Sequence, residues 1–418
     1  MIRVNNIHLS LDYDDKSVRK AVAQQLRIEE KSIKSCKIFR RSVDARKKDN
    51  IYFLTTVDAE LNINEDKVCK KCGNAQIARK YEYNQMKFGN APSPIVVGAG
   101  PAGLFAALIL ARSGAKPILI ERGRDVDRRT ADVNRFWTSG KLDITSNVQF
   151  GEGGAGTFSD GKLNSGTKDI RQRKVLEEFV SHGAPDEILY NAKPHIGTDM
   201  LKGTIKNIRN EIIELGGRVM FETKLVSMAF SDNKLKSITV ETANGDEIIE
   251  TDNVILAIGH SARDTFEMLY DLKLPIEAKP FSVGARIEHL RQKVDKAQYG
   301  RFAGNKKLGS ANYKLSTHLD NGRGVYTFCM CPGGKVVNAS SEENRLCTNG
   351  MSEFARDAEN SNSALLVGIN PDDYESDHPL AGMYLQRKLE SKAFVAGGEN
   401  YNAPIQRVDD FLNNRKST

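Results

Sequence analysis

The segment Ile95-Val96-Val97-Gly98-Ala99-Gly100-Pro101-Ala102-Gly103 joins a short apolar run to a glycine-rich turn. The residues from Ala102 to Ser113 are apolar enough to form a buried helix, and Gly114 suits its C-terminal cap. Residues 117–120 form a second apolar run, which ends at Glu121. This order of strand, tight turn, helix and strand predicts one βαβ unit of a parallel sheet.

The glycine spacing in the turn is typical of a dinucleotide site, because each glycine has its own physical task. Gly98 permits the tight turn, Gly100 lets the backbone approach a pyrophosphate, and Gly103 lets the helix pack close to the strand. The helix N-terminus adds free N–H donors and a partial positive charge. Glu121 can accept hydrogen bonds from ribose hydroxyls, and Arg122 follows it. A glycine turn without a ligand is the weaker alternative, since strand, glycines, helix and acid are all in register.

Two later segments favour FAD over NAD, by their resemblance to flavoprotein segments. A second glycine cluster occupies residues 148–156 and continues to 163, where bare backbone can lie against a flat ring or a phosphate. A flexible surface loop is the alternative for this cluster. The apolar run 254–258 ends at Gly259 and resembles the strand that returns to the nucleotide sheet after a three-stranded meander.

The remaining pattern predicts a small α/β unit over residues 1–61 and a polar linker over 62–92 that ends in Gly89-Asn90-Ala91-Pro92. Further elements are predicted along the whole chain from apolar spacing and turn residues. The predicted strands are 2–11, 33–43, 51–61, 218–222, 224–230, 235–242 and 247–251, and the predicted helices are 17–26, 173–182 and 198–215.

The composition is that of an ordinary globular protein, with 39% hydrophobic and 28% charged residues in a chain of 418. No apolar run reaches the ~18–20 residues of a membrane span, and the start lacks a signal-peptide layout, so we expect a cytoplasmic protein without a membrane partner. The six cysteines are predicted to be free thiols. Cys69 and Cys72 form a single CxxC pair, and we predict no metal site because no second pair follows. A metal or redox role for that pair is the weaker alternative.

The positive charge of the chain lies near its N-terminus. Residues 1–91 hold 19 Lys and Arg against 12 Asp and Glu, which equals the net charge of +7 for the whole chain. One hypothesis is therefore a non-catalytic or RNA-directed module with a basic N-terminal domain. Few aromatic residues are interleaved with the basic stretch, so a solvated face is favoured and nucleic acid is not a predicted partner.

In several of its motifs the chain resembles the uncharacterised FAD-dependent dehydrogenase family of bacterial and plastid proteins. The matching stretches follow the family order along the whole chain. Besides the turn at 98–103, they are Arg41–Lys48, Phe150–Leu163, Val283–His289, Cys329–Gly334 and Ala403–Val408. The resemblance implies an α/β fold with three parts: a small N-terminal α+β domain at 1–91, a Rossmann-type FAD-binding domain with a β-meander at 92–163 and 216–264, and a helical segment with an inserted mixed α/β substrate domain at 165–215 and 265–418.

The resemblance also implies a function, namely an FAD-dependent oxidoreductase acting on a small-molecule substrate, with NAD(P)H as a candidate electron donor. FAD would lie extended, with its pyrophosphate at the first glycine turn, its adenosine end at Glu121, Arg122 and Leu225, and its flavin beside the 151–161 loop. The implied cofactor residues are Gly98, Gly100, Pro101, Ala102, Gly103, Glu121, Arg122, Gly151, Gly153, Gly154, Gly156, Gly161, Leu225 and Gly259.

Related flavoproteins close the site with a further C-terminal segment, which we do not find before Thr418. We therefore expect a truncated chain or one half of a split gene, with a second polypeptide that supplies the segment. No catalytic acid or base is assigned. Cys329 and Cys331 would share one face of a strand and could serve the flavin as a redox pair, although two small buried residues are the favoured interpretation. The other candidates near a nucleotide or an anionic substrate are His260, Arg263, Arg286 and His289.

Overall fold

The computed structural model describes residues 1–79, 81–85, 87–89, 93–167 and 169–417. Its N-terminal unit is an antiparallel sheet with strand order β2-β3-β1-β4, covered by helix α1. Asp14 caps α1 and pairs with Ser17 in a reciprocal capping box, which fixes where the helix begins. The elements are β1 Ile2–Leu9, α1 Asp15–Leu26, β2 Ile33–Asp44, β3 Tyr52–Leu61, α2 Glu65–Lys71 and β4 Ala75–Ile77.

The predicted linker at 62–92 is wrong over its first half, because α2 and β4 lie within it and β4 pairs with β1. The predicted boundary between 91 and 92 lies outside the described residues. The core of this unit also includes Tyr299, Leu308 and Ala311 from the C-terminal part of the chain. The N-terminal sheet is therefore packed onto the rest of the molecule.

A parallel sheet with order β11-β5-β6-β7 forms the centre of the molecule, as the βαβ pattern predicts. Val96 on β5 packs toward helices α3 and α6, whereas Ile95 and Val97 face the opposite side. This arrangement buries both faces of the strand. The elements are β5 Ile95–Val97, α3 Pro101–Arg112, β6 Ile118–Ile120, α4 Val126–Ser139, α5 Arg171–Ser181, α6 Thr198–Glu214, β7 Arg218–Met220, β8 Lys224–Ser231, β9 Lys234–Thr242, β10 Gly245–Glu250, β11 Val254–Leu256 and α7 Arg263–Asp271.

Two assignments from the sequence are corrected by this packing. The first of the four strands predicted between 218 and 251 is β7, which joins the parallel sheet, so the meander consists of β8, β9 and β10 alone. The meander covers the second face of the parallel sheet through Leu225, Met228 and Ile238. The segment 165–215 was grouped with the C-terminal part, but α6 packs on α3 and on the parallel sheet.

The C-terminal part is a mixed α/β unit built on an antiparallel sheet with order β12-β17-β14-β13. A two-stranded sheet of β15 and β16 lies beside it. The fold class is therefore the predicted one, a Rossmann-type α/β protein with an N-terminal α+β unit. No described helix is both long and apolar enough to cross a bilayer. The elements are β12 Phe281–Leu290, α8 Arg291–Tyr299, β13 Ser316–His318, β14 Gly324–Cys331, β15 Lys335–Asn338, β16 Thr348–Met351, β17 Asn360–Ile369, α9 Ala381–Ala396 and α10 Val408–Leu412.

Candidate FAD-binding cleft

A cleft of about 680 Å³ opens at the carboxyl ends of β5, β6 and β11, where Val97, Ile120 and Leu256 contribute to its walls. In open α/β sheets ligands bind at this edge of the strands. The volume lies within the range of ~300–1,000 Å³ that is usual for small-molecule and cofactor sites. The cleft is therefore the first candidate for the dinucleotide site.

The first glycine turn forms one end of the cleft. Gly98 has φ +103°, and its N–H donates to the carbonyl of Ile120, 2.7 Å away, which ties β5 to β6. Helix α3 begins at Pro101, and no side chain caps it at Gly100. Its N-terminal N–H groups are thus available to an anion. Gly103 does not line the cleft, because it lies against the carbonyl oxygen of Gly98, where a Cβ would come within 1.8 Å.

Glu121 lines the cleft, as predicted for the ribose acid, but its carboxylate also has a structural task. Its Oε2 accepts the N–H of Ala99 at 2.8 Å, and its Oε1 accepts those of Gly123 at 2.9 Å and Gly151 at 3.0 Å. Only 6% of the residue is exposed. Glu121 therefore joins the first glycine turn, residues 98–103, to the second glycine loop, residues 151–161. A carboxylate has about four acceptor positions, so Glu121 retains one for a ligand.

Arg129, which is fully buried on α4, binds the backbone of the second glycine loop and of the residues just before it. Its guanidinium donates to the carbonyls of Asn147 at 2.8 Å, Val148 at 2.9 Å and Glu152 at 2.6 Å. Burial lowers the pKa of Arg129 to about 10, which leaves it charged at neutral pH. The N–H of Gly153 donates to Ala99 at 2.8 Å and fixes this loop against the first turn.

Where the two glycine segments meet, bare backbone faces bare backbone across the cleft. A Cβ added at Gly100 would lie 3.9 Å from the Cα of Gly154, with no other heavy atom inside 4 Å. Both residues line the cleft, and a larger side chain at either position would fill it. This narrow space beside an uncapped helix N-terminus fits a flat or phosphorylated part of a dinucleotide.

Charged side chains lie along the adenosine side that the resemblance implies. The Nη2 of Arg122 donates to Asp264 at 2.8 Å, and its guanidinium lies 4.5 Å from the ring centre of Phe150. Lys224 makes a second ion pair with Asp264, also at 2.8 Å. Burial alone would raise the pKa of Asp264, but the hydrogen bonds from these two cations lower it to about 2. Two cations share one carboxylate here, so a net positive charge remains at the wall of the cleft.

Most of the predicted cofactor residues meet in this one cleft. Two glycines of the second loop, like Gly103, do not line it: Gly153 bridges the loops, and Gly161 packs against Gly197. The predicted residues that line the cleft are Gly98, Gly100, Pro101, Ala102, Glu121, Arg122, Gly151, Gly154, Gly156, Leu225 and Gly259.

Sequence reasoning missed several wall residues, since an apolar or amide side chain beside a turn carries no signal of its own. His260, which the sequence predicts to lie near a nucleotide, does line the cleft, and burial and the charge of Arg263 lower its pKa. Arg263 itself is engaged by Glu342 and Glu390. Gln149, Phe150 and Ala155 lie within the predicted glycine cluster. The missed residues include Thr223, Lys224, Ile258, Thr265 and Phe266.

Three family models match the chain. Residues 280–418 match the C-terminal domain of FAD-dependent proteins, residues 93–132 match an FAD-binding domain, and residues 1–60 match a domain of unknown function. An uncharacterized protein of Clostridium beijerinckii is 48% identical over 423 residues, which span 100% of this chain and 78% of that protein.

Solved flavoprotein structures show a more distant similarity. The flavin-dependent halogenase CmlS is 15% identical with a TM-score of 0.36 and covers 75% of this chain, and 46% of its own chain is matched. A flavoprotein/dehydrogenase from Cytophaga hutchinsonii is 16% identical with a TM-score of 0.31, covering 72% of this chain and 62% of its own. This chain thus spans less than two thirds of either solved chain.

The FAD-binding match covers β5, the glycine turn, α3 and β6, which are the elements that build the end of the cleft. The C-terminal match covers the unit that follows α7. The close relative extends the similarity to the full length of the chain. The chain therefore belongs to the family of FAD-dependent proteins that carry this C-terminal domain, and FAD is its cofactor.

Proposed function

We propose that this protein is an FAD-dependent oxidoreductase, a dehydrogenase that acts on a small-molecule substrate. The observation that carries the proposal is the approach of Gly100 and Gly154 across a cleft at the carboxyl edge of the parallel sheet. In such a cleft a dinucleotide can lie extended between two bare backbone segments. The cofactor supplies the acceptor for a hydride or for electrons, and the chain supplies binding, orientation and electrostatics.

Each part of the cleft has a task in this proposal. The N–H groups at the start of α3 hold the pyrophosphate, and Glu121 accepts a ribose hydroxyl with its remaining lone pair. Arg122 adds a positive charge at the adenosine end, and Leu225, which is buried on the meander, lies against the adenine. The flavin lies beside the second glycine loop, near Gly154 and Gly156.

The C-terminal unit is placed to close the substrate side. Gln149 lines the cleft, and its side-chain amide donates to the carbonyl of Ala339 in that unit. Arg356 forms an ion pair with Asp160, which lies on the segment after the second glycine loop. A substrate bound between these parts would be shielded from water on one side by a folded sheet.

A second polypeptide as a partner stays a prediction, and an exposed edge of the parallel sheet supports it. Strand β11 is at the edge of its sheet among the described strands, and Ile255 is 41% exposed. A strand of a parallel sheet is usually buried on both faces. We propose that another polypeptide segment covers this edge, so that its addition tightens FAD binding.

The RNA-directed alternative has less support, because several of the N-terminal basic residues are engaged within the fold. Arg3 forms a largely buried ion pair with Asp58, and Arg19 donates to the backbone carbonyls of Glu30 and Lys34. Arg41 donates to Asn191 and to Tyr13, which joins the N-terminal sheet to the segment before α6. These side chains therefore do not contribute to a basic surface that is open to nucleic acid.

Electron donors and acceptors test the proposal directly. The full chain is loaded with FAD under argon and mixed with NADH or NADPH, and ferricyanide is then added as acceptor. We expect loss of the oxidised-flavin absorbance with one of the two nicotinamides, and continued turnover with ferricyanide in the absence of O₂. Dithionite is the control that shows the bound flavin can be reduced. If dithionite reduces the bound flavin but neither nicotinamide does, the result contradicts NAD(P)H as the donor. Turnover that requires O₂ would contradict a dehydrogenase.

A further inference from the structure

Cys329 and Cys331 lie at the end of β14, where the strand leaves its regular register. Phe328 pairs with Ala364 and Cys331 pairs with Asn362, so β14 contains one extra residue and forms a β-bulge. Cys329 lies within the bulge and has φ +46°, a conformation that is uncommon for any residue other than glycine. Bulges of this kind often redirect a side chain at a functional site.

The bulge brings the two thiols together beside two cations. The Nζ of Lys162 is 3.8 Å from the sulfur of Cys331, and the Nη2 of Arg286 is 3.9 Å from it. Each cation is held in place by a second group, Lys162 by Asp160 at 2.7 Å and Arg286 by the Oδ1 of Asn362 at 2.9 Å from its Nε. The setting is electropositive and only partly accessible to water, as is typical of reactive thiols.

The two thiols of this pair differ in acidity from each other and from the other cysteines. A hydrogen bond from Cys331 lowers the pKa of Cys329, and the charges of Lys162 and Arg286 act in the same direction. The pKa of Cys331 is raised by the same hydrogen bond and by burial. At Cys36 burial raises the pKa, and at Cys347 burial raises it to about 12. Cys331 lies beside two fixed cations, and its thiol also donates to the carbonyl of Cys329, 3.3 Å away.

A buried donor without a partner lies beside the same pair. Asn362 is fully buried, and its Oδ1 accepts from Arg286, which fixes the orientation of the amide. Its Nδ2 has no partner among the described residues. A Cβ at Gly350 would lie within 2.7 Å of both Asn362 Oδ1 and the sulfur of Cys331, so the amide and the thiol are neighbours. Buried donors without a partner are rare in folded proteins, and this one lies beside the thiol pair.

We propose that Cys329 and Cys331 form a redox-active dithiol that exchanges electrons with FAD, an inference that rests on the proposed function. In the forward step the two S–H bonds break and one S–S bond forms, which releases two electrons and two protons. Oxidised FAD takes up both electrons and both protons and becomes the reduced form. The reverse step regenerates the dithiol from reduced FAD.

Regular strand geometry sets the starting separation for this bond. Residues i and i+2 of a regular strand lie about 6.6 Å apart at the Cα atoms, which is near the upper limit for a disulfide. The extra residue of the bulge and the left-handed φ of Cys329 take the pair out of this regular geometry. Lys162, which contacts the sulfur of Cys331, follows six residues after Gly156, which lines the cleft.

The decisive experiment reduces the full chain with dithiothreitol, removes the reductant, and adds oxidised FAD under argon. Mass spectrometry of the peptide that contains both cysteines and absorbance of the flavin are followed together. We expect the peptide to lose two hydrogens while the flavin is reduced in equal amount. Cys329→Ser and Cys331→Ser abolish both changes, whereas Cys36→Ser, in the N-terminal sheet, leaves them unchanged. A chain that binds no FAD contradicts the proposed function, and a chain that binds FAD but keeps both thiols contradicts the dithiol alone.

A second readout does not depend on FAD. The rate of iodoacetamide alkylation at Cys329 is measured against pH for the full chain and for Lys162→Gln. Because thiolate is the reacting form, we expect a midpoint below that of an ordinary thiol, and the variant should move it upward by about one pH unit. Equal midpoints in the two proteins, or a midpoint at Cys329 as high as at Cys36, would overturn the assignment of the reactive thiol.

Discussion

At the scale of single residues, Glu121 shows how one side chain can serve both the fold and the site. The sequence predicts an acid at the end of the second strand, and the acid does line the cleft. Two of its three backbone donors, Ala99 and Gly151, belong to the two glycine segments, so the same carboxylate ties these segments together. The sequence cannot show this second task, because Gly151 is 30 residues away along the chain.

This arrangement predicts that Glu121→Gln weakens both the fold and FAD binding. The amide has one acceptor oxygen, and its NH₂ group would face a backbone N–H of Ala99 or of Gly151. We expect the free energy of unfolding to fall by about 1–3 kcal/mol in urea denaturation, with weaker binding of FAD. Glu222→Gln is the matched control, since Glu222 is 42% exposed and forms surface ion pairs with Arg124 and Arg128. Equal stability of Glu121→Gln and the wild type would contradict this role.

At the scale of helices and strands, a charged cluster joins α7 to α9. Arg263 at the start of α7 pairs with Glu342 and with Glu390 of α9, and Arg387 of α9 pairs with Glu342 and with Glu267 of α7. The cluster therefore connects the wall of the cleft to the C-terminal unit. It explains why Arg263 is not free to bind a nucleotide, although its position in the sequence suggests that role.

The cluster predicts a defined pH dependence. Burial opposes the charge of Glu342, but hydrogen bonds from Arg387 and Arg263 lower its pKa from 4.5 to about 2. Its contribution to stability is therefore full above about pH 4.5 and is lost as the pH falls toward 2. Arg263→Met should lower the free energy of unfolding at pH 7 by about 2 kcal/mol and make the loss between pH 4.5 and 2 smaller. Denaturation midpoints at several pH values measure both effects. An equal loss of stability between pH 4.5 and 2 in the variant and the wild type would contradict the prediction.

The elements also show what the sequence can and cannot predict. Helix α3 and strands β5 and β6 were predicted within one residue or so, because their apolar runs are bounded by glycines and an acid. Strand β7 was predicted to exist, but three residues of apolar pattern do not reveal whether a strand is parallel or part of a meander. Helix α2 was missed because only Val68 of its residues is buried. The bulge at Cys329 and the buried hydrogen bonds of Arg129 to backbone carbonyls depend on distant partners and leave no local pattern.

At the scale of the whole molecule, the three parts are packed on one another around the cleft. Residues 299–311 complete the core of the N-terminal sheet, and Arg41 bonds to Asn191 before α6. Gln149 in the wall of the cleft donates a hydrogen bond to the carbonyl of Ala339 in the C-terminal unit. A ligand that occupies the cleft is therefore expected to stabilise the entire chain, since binding to the folded state alone raises the free energy of unfolding by mass action.

The central claim is that FAD lies between the two glycine segments, and an equilibrium titration of FAD tests it most directly. Gly100→Leu fills the space next to Gly154 without a backbone clash, because a Cβ there meets nothing closer than 3.9 Å and φ is −71°. Gly203→Leu is the control, at an exposed helix position with nothing within 4 Å of its Cβ. We predict that wild type and Gly203→Leu bind FAD equally and that Gly100→Leu binds at least about tenfold more weakly, or about 1.4 kcal/mol. Equal affinity of all three proteins for FAD would contradict the account.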